Sequence, residues 1–393
     1  MVKQEPRARR IALAFPNALV ASGNLMHGIL DYARTRGGWS FTRLPEQLSP
    51  SASWLKEWRG DGAFAVVTTS EDAAMLQALS FPVVNVMGFI SQQAFPTATL
   101  DHHAIGRLQA EHLLERRFRR LAYYGVSDLW FSQERLAGFR EVAEAAHVPV
   151  APWLVASGLQ TRLRLSDQQA ELIRWLRQLP TPFGVAASND MRACMVLDAC
   201  ATLGLRVPEE VAVIGVDDDP VVAPFSTPPL TSVARNDREL GFLGARLLDD
   251  LIEGRPPASL CVRVPPADVV CRRSTETLAV ESPELHALIQ EIRTHIAEPF
   301  GVEFLTARTS ASRRQLERLI LQETGQTPHS LINRLRVEHA CALLSKPDKR
   351  SLTAVAAACG FAELRRFSLV FKQQTGLQPR AFRLKAQAAA ATP

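Results

Sequence analysis

The sequence predicts an α/β fold of two lobes, each a parallel sheet with helices on both faces, followed by an all-α domain carrying two helix-turn-helix units. Three observations lead there. Short apolar runs alternate with amphipathic stretches from residue 10 to about residue 273, which implies parallel strands joined through helices. Beyond Leu285 no strand pattern survives, and helical periodicity continues to about residue 383. Inside that helical part, "ASRRQLERLILQETGQTP" (residues 311–328) is echoed 51 residues later by "CGFAELRRFSLVFKQQTGLQP" (residues 359–379), each with an arginine pair ahead of its T-G-x-x-P end.

In chain order, "IALAF" precedes the helical "NLMHGILDYART", "GAFAVVT" precedes "EDAAMLQAL", and "PVVNVM" follows. "LAYYGV" precedes "SQERLAGFREVAEAA", "FGVAAS" precedes "NDMRACMVLDACATLG", and "VAVIGVD" and "DRELGFLGARLLDDLIEG" close the series. Ligands of such sheets bind outside the carboxyl ends of the strands, so the residues just after each apolar run are the ones to watch. The polar, proline-bearing stretch "STETLAVESPELH" reads as a linker. The expected division is therefore 1–275 for the α/β part, 276–286 for the linker, 287–384 for the helical domain and 385–393 for a frayed tail.

Charge separates the same two parts. From Leu285 to the end there are 16 Lys+Arg against 8 Asp+Glu, and in the remainder 29 against 32. A basic tail on a slightly acidic body suggests that the tail alone meets a polyanion. The six cysteines show no C-x-x-C spacing, and several sit in apolar runs, as expected of reduced thiols. The first apolar run is too short for a signal segment and no stretch approaches the ~20 apolar residues of a membrane span. A cytoplasmic protein is the expectation.

Stepping 100° per residue along "ELRRFSLVFKQQ" gathers Leu364, Phe367, Val370 and Phe371 on a core side. Arg365, Leu369 and Lys372 lie opposite, flanked by Arg366 and Ser368. In "SRRQLERLILQ", Leu316, Leu319 and Ile320 form the core side, while Arg314 and Arg318 point away with Glu317 beside them. Each helix follows a shorter one, "LTAVAAACGFA" or "VEFLTARTSA", and a break. Two helices, a tight turn and cations on the outer face of the second suit double-stranded DNA. Arginine suits it because its planar fork can bond guanine O6 and N7 together. It can equally grip phosphates.

These residues carry a resemblance. "SLTAVAAACGFAELRRFSLVFKQQTGLQPRAFR" (residues 351–383) resembles the signature of AraC/XylS-type regulators, with Gly360, Phe361, Phe367, Phe371, Lys372, Gly376, Pro379 and Arg383 matching. In that family two helix-turn-helix units joined by a long helix, here "PHSLINRLRVEHACALLS", enter successive major-groove segments. The first unit departs from the pattern in carrying Ser310 where a turn glycine is usual, and the second in carrying Gln378 before its proline. The resemblance implies DNA contacts from Arg314, Glu317, Arg318, Arg365, Arg366 and Lys372. Glu317 could accept from cytosine N4 or hold Arg313 or Arg314 in place; both readings stand open.

In the α/β part, polar clusters follow three strands. "AASNDMRA" places Asn189, Asp190 and Arg192 at a helix start, "VIGVDDDP" places Asp217, Asp218 and Asp219 after a strand, and "FSQERLAGF" puts Arg135 near another helix start. Carboxylates accept from sugar hydroxyls while Arg and Asn donate, so a polyhydroxylated, uncharged ligand fits. The aspartates lack calcium-loop spacing. The histidines of "DHHAIGRLQAEH" follow the pattern of an amphipathic helix, so no metal and no cofactor are expected. No nucleophile elbow, P-loop or dinucleotide fingerprint stands in a suitable setting, so the chain is not expected to be an enzyme.

"RLAGF", "SNDMRACMVLDACATLGLRVPEEVAVIGVDD", "PLTSVARNDRELG" and "VVCRRST" resemble, in order and spacing, the LacI-type sensor fold, itself similar to periplasmic sugar-binding proteins. That resemblance implies ligand contacts from Arg135, Asn189 and Asp217, with Arg235 standing where glutamine is usual. "FPNALVASGN" (residues 15–24) is expected to line the cleft from the first lobe. A LacI-type sensor ahead of an AraC-type reader resembles the family of xylose-operon regulators, whose cleft uses a D-x-R pair matching Asp190 and Arg192. This implies D-xylose as ligand, operator DNA as partner, a homodimer, and RNA polymerase as a further partner of an activator. A repressor, or a regulator answering another pentose or hexose, is the alternative. A transport binding protein and a sugar-modifying enzyme are weaker ones.

Overall fold

The computed structural model describes residues 8–15, 20–43, 52–87, 89, 95–157, 165–276, 280, 282–344 and 350–384. The chain divides into two compact units. One comprises Met1–Glu115 with Arg119–Thr275, and the other is built on Glu276–Pro393. Of the sequence expectations, residues 16–19 of the cleft stretch, residues 277–279 and 281 of the linker and the tail 385–393 lie outside the described residues.

The first unit holds two six-stranded sheets. Its first lobe runs β1 (Arg9–Ala14), α1 (Val20–Arg36), β2 (Trp39–Thr42), β3 (Gly62–Ala65), α2 (Ser70–Gln77), β4 (Val83–Asn85) and β5 (Thr97–Leu100). The second runs α3 (His102–Glu115), β6 (Leu121–Val126), α4 (Trp130–Ala145), β7 (Val150–Val155), α5 (Leu165–Arg177), β8 (Phe183–Ala187), α6 (Asp190–Leu203), β9 (Val211–Asp217), α7 (Val222–Phe225) and β10 (Thr231–Ala234). The chain then returns to the first lobe with α8 (Asp237–Ile252) and β11 (Cys261–Val264), and ends in the second with β12 (Val269–Val270). The strand orders are β11-β5-β4-β3-β1-β2 and β12-β10-β9-β8-β6-β7. All pairings are parallel except β10 with β12.

The chain thus passes between lobes near residue 101, at residues 235–236 and at residues 265–268, which places those crossovers beside the strand ends. Strands such as β6 and β8 are buried on both faces, and for that reason read as continuous apolar runs rather than alternating ones. One face of the second sheet packs Tyr124, Val185 and Val213 against Leu172 and Leu176 of α5 and Val196 of α6. On the other face α3 and α4 lie so close that a Cβ on Gly106 would meet the Arg135 carbonyl, and one on Gly138 the His103 carbonyl. This contact sets the height at which α4 presents Arg135.

The short or polar strands β2, β7, β10, β11 and β12 carry little periodicity. β2 is only half buried and β7 alternates between partly buried and exposed residues. His102 and His112 lie in the core, His112 bonding Thr275 Oγ1 at 2.8 Å.

The second unit is all helical: α9 (Pro283–Thr294), α10 (Val302–Thr306), α11 (Arg313–Thr324), α12 (Pro328–Leu344), α13 (Leu352–Ala358) and α14 (Leu364–Thr375). α9 starts inside the expected linker, because Ser282 caps the helix by accepting from the Leu285 N–H, with Pro283 in its first turn. Two cores share α12. Leu288, Ile292, Leu316, Ile320, Leu331 and Leu335 belong to the first, and Val337, Leu344, Val355, Phe367 and Phe371 to the second. Arg336 of α12 is buried between them, donating to the carbonyls of Glu298 (2.8 Å) and Phe300 (3.2 Å) and stacking on Phe300 and Phe361.

The echoed T-G-x-x-P pattern is one C-terminal device used twice. Thr324 and Thr375 donate back to the carbonyls of Ile320 and Phe371, and Gly325 and Gly376 adopt left-handed caps. The two turns differ. Gly360 takes φ +70° in the second, whereas no residue from 307 to 312 takes a positive φ, so Ser310 meets no backbone penalty there. Leu364, expected in the core, is 39% exposed. It is the first residue of α14, and its side chain leans past the helix start instead of over Phe367.

Candidate ligand cleft and nucleic-acid interface

The expected ligand residues gather at the carboxyl ends of β8, β9 and β10, on the first turn of α6 and on the second turn of α4. Asn189 caps α6, its Oδ1 accepting from the Arg192 N–H at 3.0 Å, and so fixes the next residue, Asp190, at the helix start. Asp190 is 1% exposed. Its Oδ1 accepts from Ser232 Oγ at 2.6 Å and its Oδ2 from the Asp219 N–H at 2.9 Å. A Cβ on Gly215 would collide with Asp190 Oδ1, so β9 needs glycine where this carboxylate crosses it. Burial, reinforced by the charge of Asp217, pushes Asp190 up to about 7 in spite of those two hydrogen bonds.

Asp217 and Asp218 both take left-handed backbone conformations, φ +118° and +49°. Residues other than glycine hold such angles only where the surroundings impose them, and they cluster at binding sites. Here Ser232 Oγ accepts from the Asp218 N–H at 2.9 Å, and Arg272 pairs with Asp218 at 2.7 Å. Arg235, at the second crossover, donates to Asp217 at 3.2 Å and to Asp237 at 2.7 Å. Burial works against its charge, but the two carboxylates outweigh that and hold the guanidinium protonated.

Arg135 is buried, with one terminal nitrogen bonded to the Ser188 carbonyl and its plane over Phe131 at 4.9 Å. Arg192 lies over Tyr124 at 5.9 Å. The Nε atoms of Arg135 and Arg192 are buried and meet no acceptor among the described residues. The first lobe reaches this region through Phe89, whose carbonyl accepts from the Trp130 N–H at 3.0 Å and whose ring meets Phe131 edge-on.

Sequence reading missed three supporting residues. Ser232 lies in the quoted "PLTSVARND" but is a serine inside a strand, with no local signal of its role. Asp237 is disguised as an ordinary first-turn acid. Gln109 of α3 is fully buried and donates to the carbonyl ends of β8 and β9, at 2.9 Å to Ala187. Among the described residues no group of three or more His, Cys, Asp and Glu could hold a metal, and no helix is long and apolar enough to cross a membrane.

In the second unit Arg314, Arg318, Arg365, Arg366 and Lys372 are all exposed. Arg366 is drawn toward α12, 3.0 Å from His329 Nε2. Glu317 accepts from Arg313 Nε at 2.9 Å, so of the two open readings for this carboxylate the structure contains the ion pair. Helices α11 and α14 both present exposed cations, with Arg314 and Arg365 at the corresponding position of the two units, a geometry fit for one face of a duplex.

Comparison with known proteins returns the same two parts. A periplasmic binding protein-like domain model matches residues 110–275 and a helix-turn-helix domain model residues 305–385. The xylose operon regulatory protein of Escherichia coli K12 is 28% identical over 387 residues, 96% of this chain and 97% of that one. The HTH-type transcriptional regulator DegA of Bacillus subtilis is 30% identical over 243 residues, 60% of this chain and 69% of its own. A solved structure, the xylose-binding transcription activator xylR, superposes with a TM-score of 0.66 at 25% identity, covering 97% of this chain and 99% of that one.

Proposed function

The chain belongs to the sugar-responsive, DNA-binding transcription regulators that join a periplasmic-binding-protein-like sensor to a helix-turn-helix reader, and from that premise we propose that it answers D-xylose as an activator. The sugar sits at the strand ends between Asp190, Arg192, Asn189, Asp217, Arg135 and Arg235. The observation that carries this reading is the pair of buried guanidinium Nε donors, on Arg135 and Arg192, left without acceptors beside buried carboxylates. A hydroxylated ligand supplies acceptors to the first and donors to the second. Near-full-length similarity to regulators named for xylose supports the choice of pentose.

Residues 1–275 form the sensor and 287–384 the reader in this reading. Closure of the lobes on the sugar repositions two protomers of a cytoplasmic homodimer, whose α11 and α14 helices contact operator DNA and whose bound state engages RNA polymerase. The ligand moves this equilibrium only by its preference for the closed state, on the order of 1–3 kcal/mol. Arg314, Arg318, Arg365, Arg366 and Lys372 supply base and phosphate contacts, and Glu317 orients Arg313.

Isothermal titration with D-xylose and a panel of pentoses and hexoses tests the reading. Saturable heat with D-xylose is expected, lost in Arg192→Ala and Asp190→Ala while both variants keep sugar-independent DNA binding. Arg235, in place of a neutral glutamine, gives a second reading its footing: heat from a different sugar alone retains the regulator and replaces xylose.

A further inference from the structure

We propose that Leu369 is a specificity-determining residue of the DNA site, reading the C5-methyl group of a thymine from the middle of α14; the inference rests on the DNA-reading role given above. Leu369 is 60% exposed although its neighbours in sequence supply the core of the second half: Phe367 and Phe371 are completely buried and pack in series, tilted or edge-on, with Phe361 and Phe382. Its side chain therefore points directly away from the core, between Arg365 one turn before it and Lys372 one turn after.

That face is complementary to a nucleic acid. α14 contains no acidic residue, and Arg365 and Lys372 are exposed. An apolar side chain framed by two free cations has one obvious counterpart in a duplex. Thymine is the only base that offers an apolar group in the major groove, beside the phosphates and guanine edges that the cations take.

The first unit sharpens the argument. At the offset of 51 residues, Arg314, Arg318 and Leu321 of α11 correspond to Arg365, Leu369 and Lys372 of α14. Leu321 is also solvent-facing, 54% exposed. Both helices thus present two cations and one leucine on a single i, i+4, i+7 stripe, but in a different order, cation–cation–leucine against cation–leucine–cation. The two units of one chain accordingly read different elements, and the central position of the α14 element is an A·T pair where that of α11 is not.

The test uses the full chain and the operator it selects from a random duplex library. Each thymine is replaced in turn by uracil, which removes the methyl and keeps base pairing. One replacement is expected to weaken the unmutated protein about three- to fivefold, the worth of burying one methyl-sized group. Leu369→Ala should bind the thymine operator more weakly by a similar factor, be indifferent to that uracil, and keep its affinity for random DNA. Leu369→Arg, which puts at the centre of the stripe the residue type that α11 has there, should shift the preference at that position from A·T to G·C. Specific binding in which every uracil effect is the same with Leu369→Ala as without it overturns the proposal and leaves the DNA-reading role intact. Failure of the unmutated chain to select any sequence removes that role and the proposal with it.

Discussion

Ser232 Oγ donates a 2.6 Å hydrogen bond to Oδ1 of Asp190 while accepting from the Asp218 N–H, so one hydroxyl in β10 ties the helix start at Asp190 to the strained turn after β9. A neutral hydroxyl inside β10 thus holds the ends of the other two strands in register. The same bond explains how a carboxyl group can be sealed so completely from solvent without an arginine against it.

Asp190 gives a pH prediction. Its native value is raised from 3.8 to about 7, chiefly by burial, so the folded state holds a proton that the unfolded chain has released. Stability from this group is complete below about pH 4 and is lost as pH rises toward 7, with a total on the order of 4 kcal/mol. Asp190→Asn should flatten the urea-unfolding profile over that window. A profile as steep in the variant as in the parent would locate the dependence elsewhere.

Arg235 neutralises two carboxylates at once. Arg235→Ala leaves Asp217 and Asp237 facing each other without a cation, and should cost about 3–5 kcal/mol in unfolding free energy. Adding Asp237→Asn should recover part of that loss. A strictly additive double mutant would mean that the pair is not coupled.

Gly360 and Gly376 share a left-handed backbone but not their surroundings. A Cβ on Gly360 would lie 2.6 Å from the carbonyl oxygens of Glu298 and Ile296, whereas nothing stands within 4 Å of one on Gly376. Gly376→Ala should therefore cost only the backbone penalty, about 1–2 kcal/mol. Gly360→Ala should cost more, because it also displaces the Glu298 carbonyl that Arg336 binds. Comparing the two thermal midpoints checks the ordering.

Arg314→Ala and Arg365→Ala should each cost about 1–3 kcal/mol on the selected operator if their forks meet guanine, with relaxed preference at one base pair. Arg366→Ala should cost less and act alike on all sequences, since His329 already holds that side chain beside α12. Competition binding against single-base operator variants separates the two behaviours.

Much of the architecture was legible because it is written in local chemistry. Continuous apolar runs marked β6, β8 and β9, since a strand covered on both faces has no polar side to show. The two arginine-bearing helices declared themselves by a repeat whose Thr and Gly terminate a helix wherever they occur. What local pattern misjudged was position at an element's end: Leu364 carries the right period for the core but precedes the turn that would bury it, and Ser282 and Pro283 start a helix inside an apparently polar linker.

The ligand site divides in the same way. Residue types and their places after the strands could nominate Asp190, Arg192, Asp217, Arg135 and Arg235, because a carboxylate or guanidinium following an apolar run must lie at a strand end. Which partner each one holds could not be read there. Ser232 is 42 residues from Asp190, and Gln109 is 78 from the Ala187 carbonyl it supports. Hydrogen bonds and burial act over a few ångströms in space, whereas sequence pattern acts over a few residues of chain. The chain order determined the elements and their chemistry; only the packing of β8, β9 and β10 decided that Asp190 is sealed, Arg235 is paired, and the Nε donors of Arg135 and Arg192 are left unpaired.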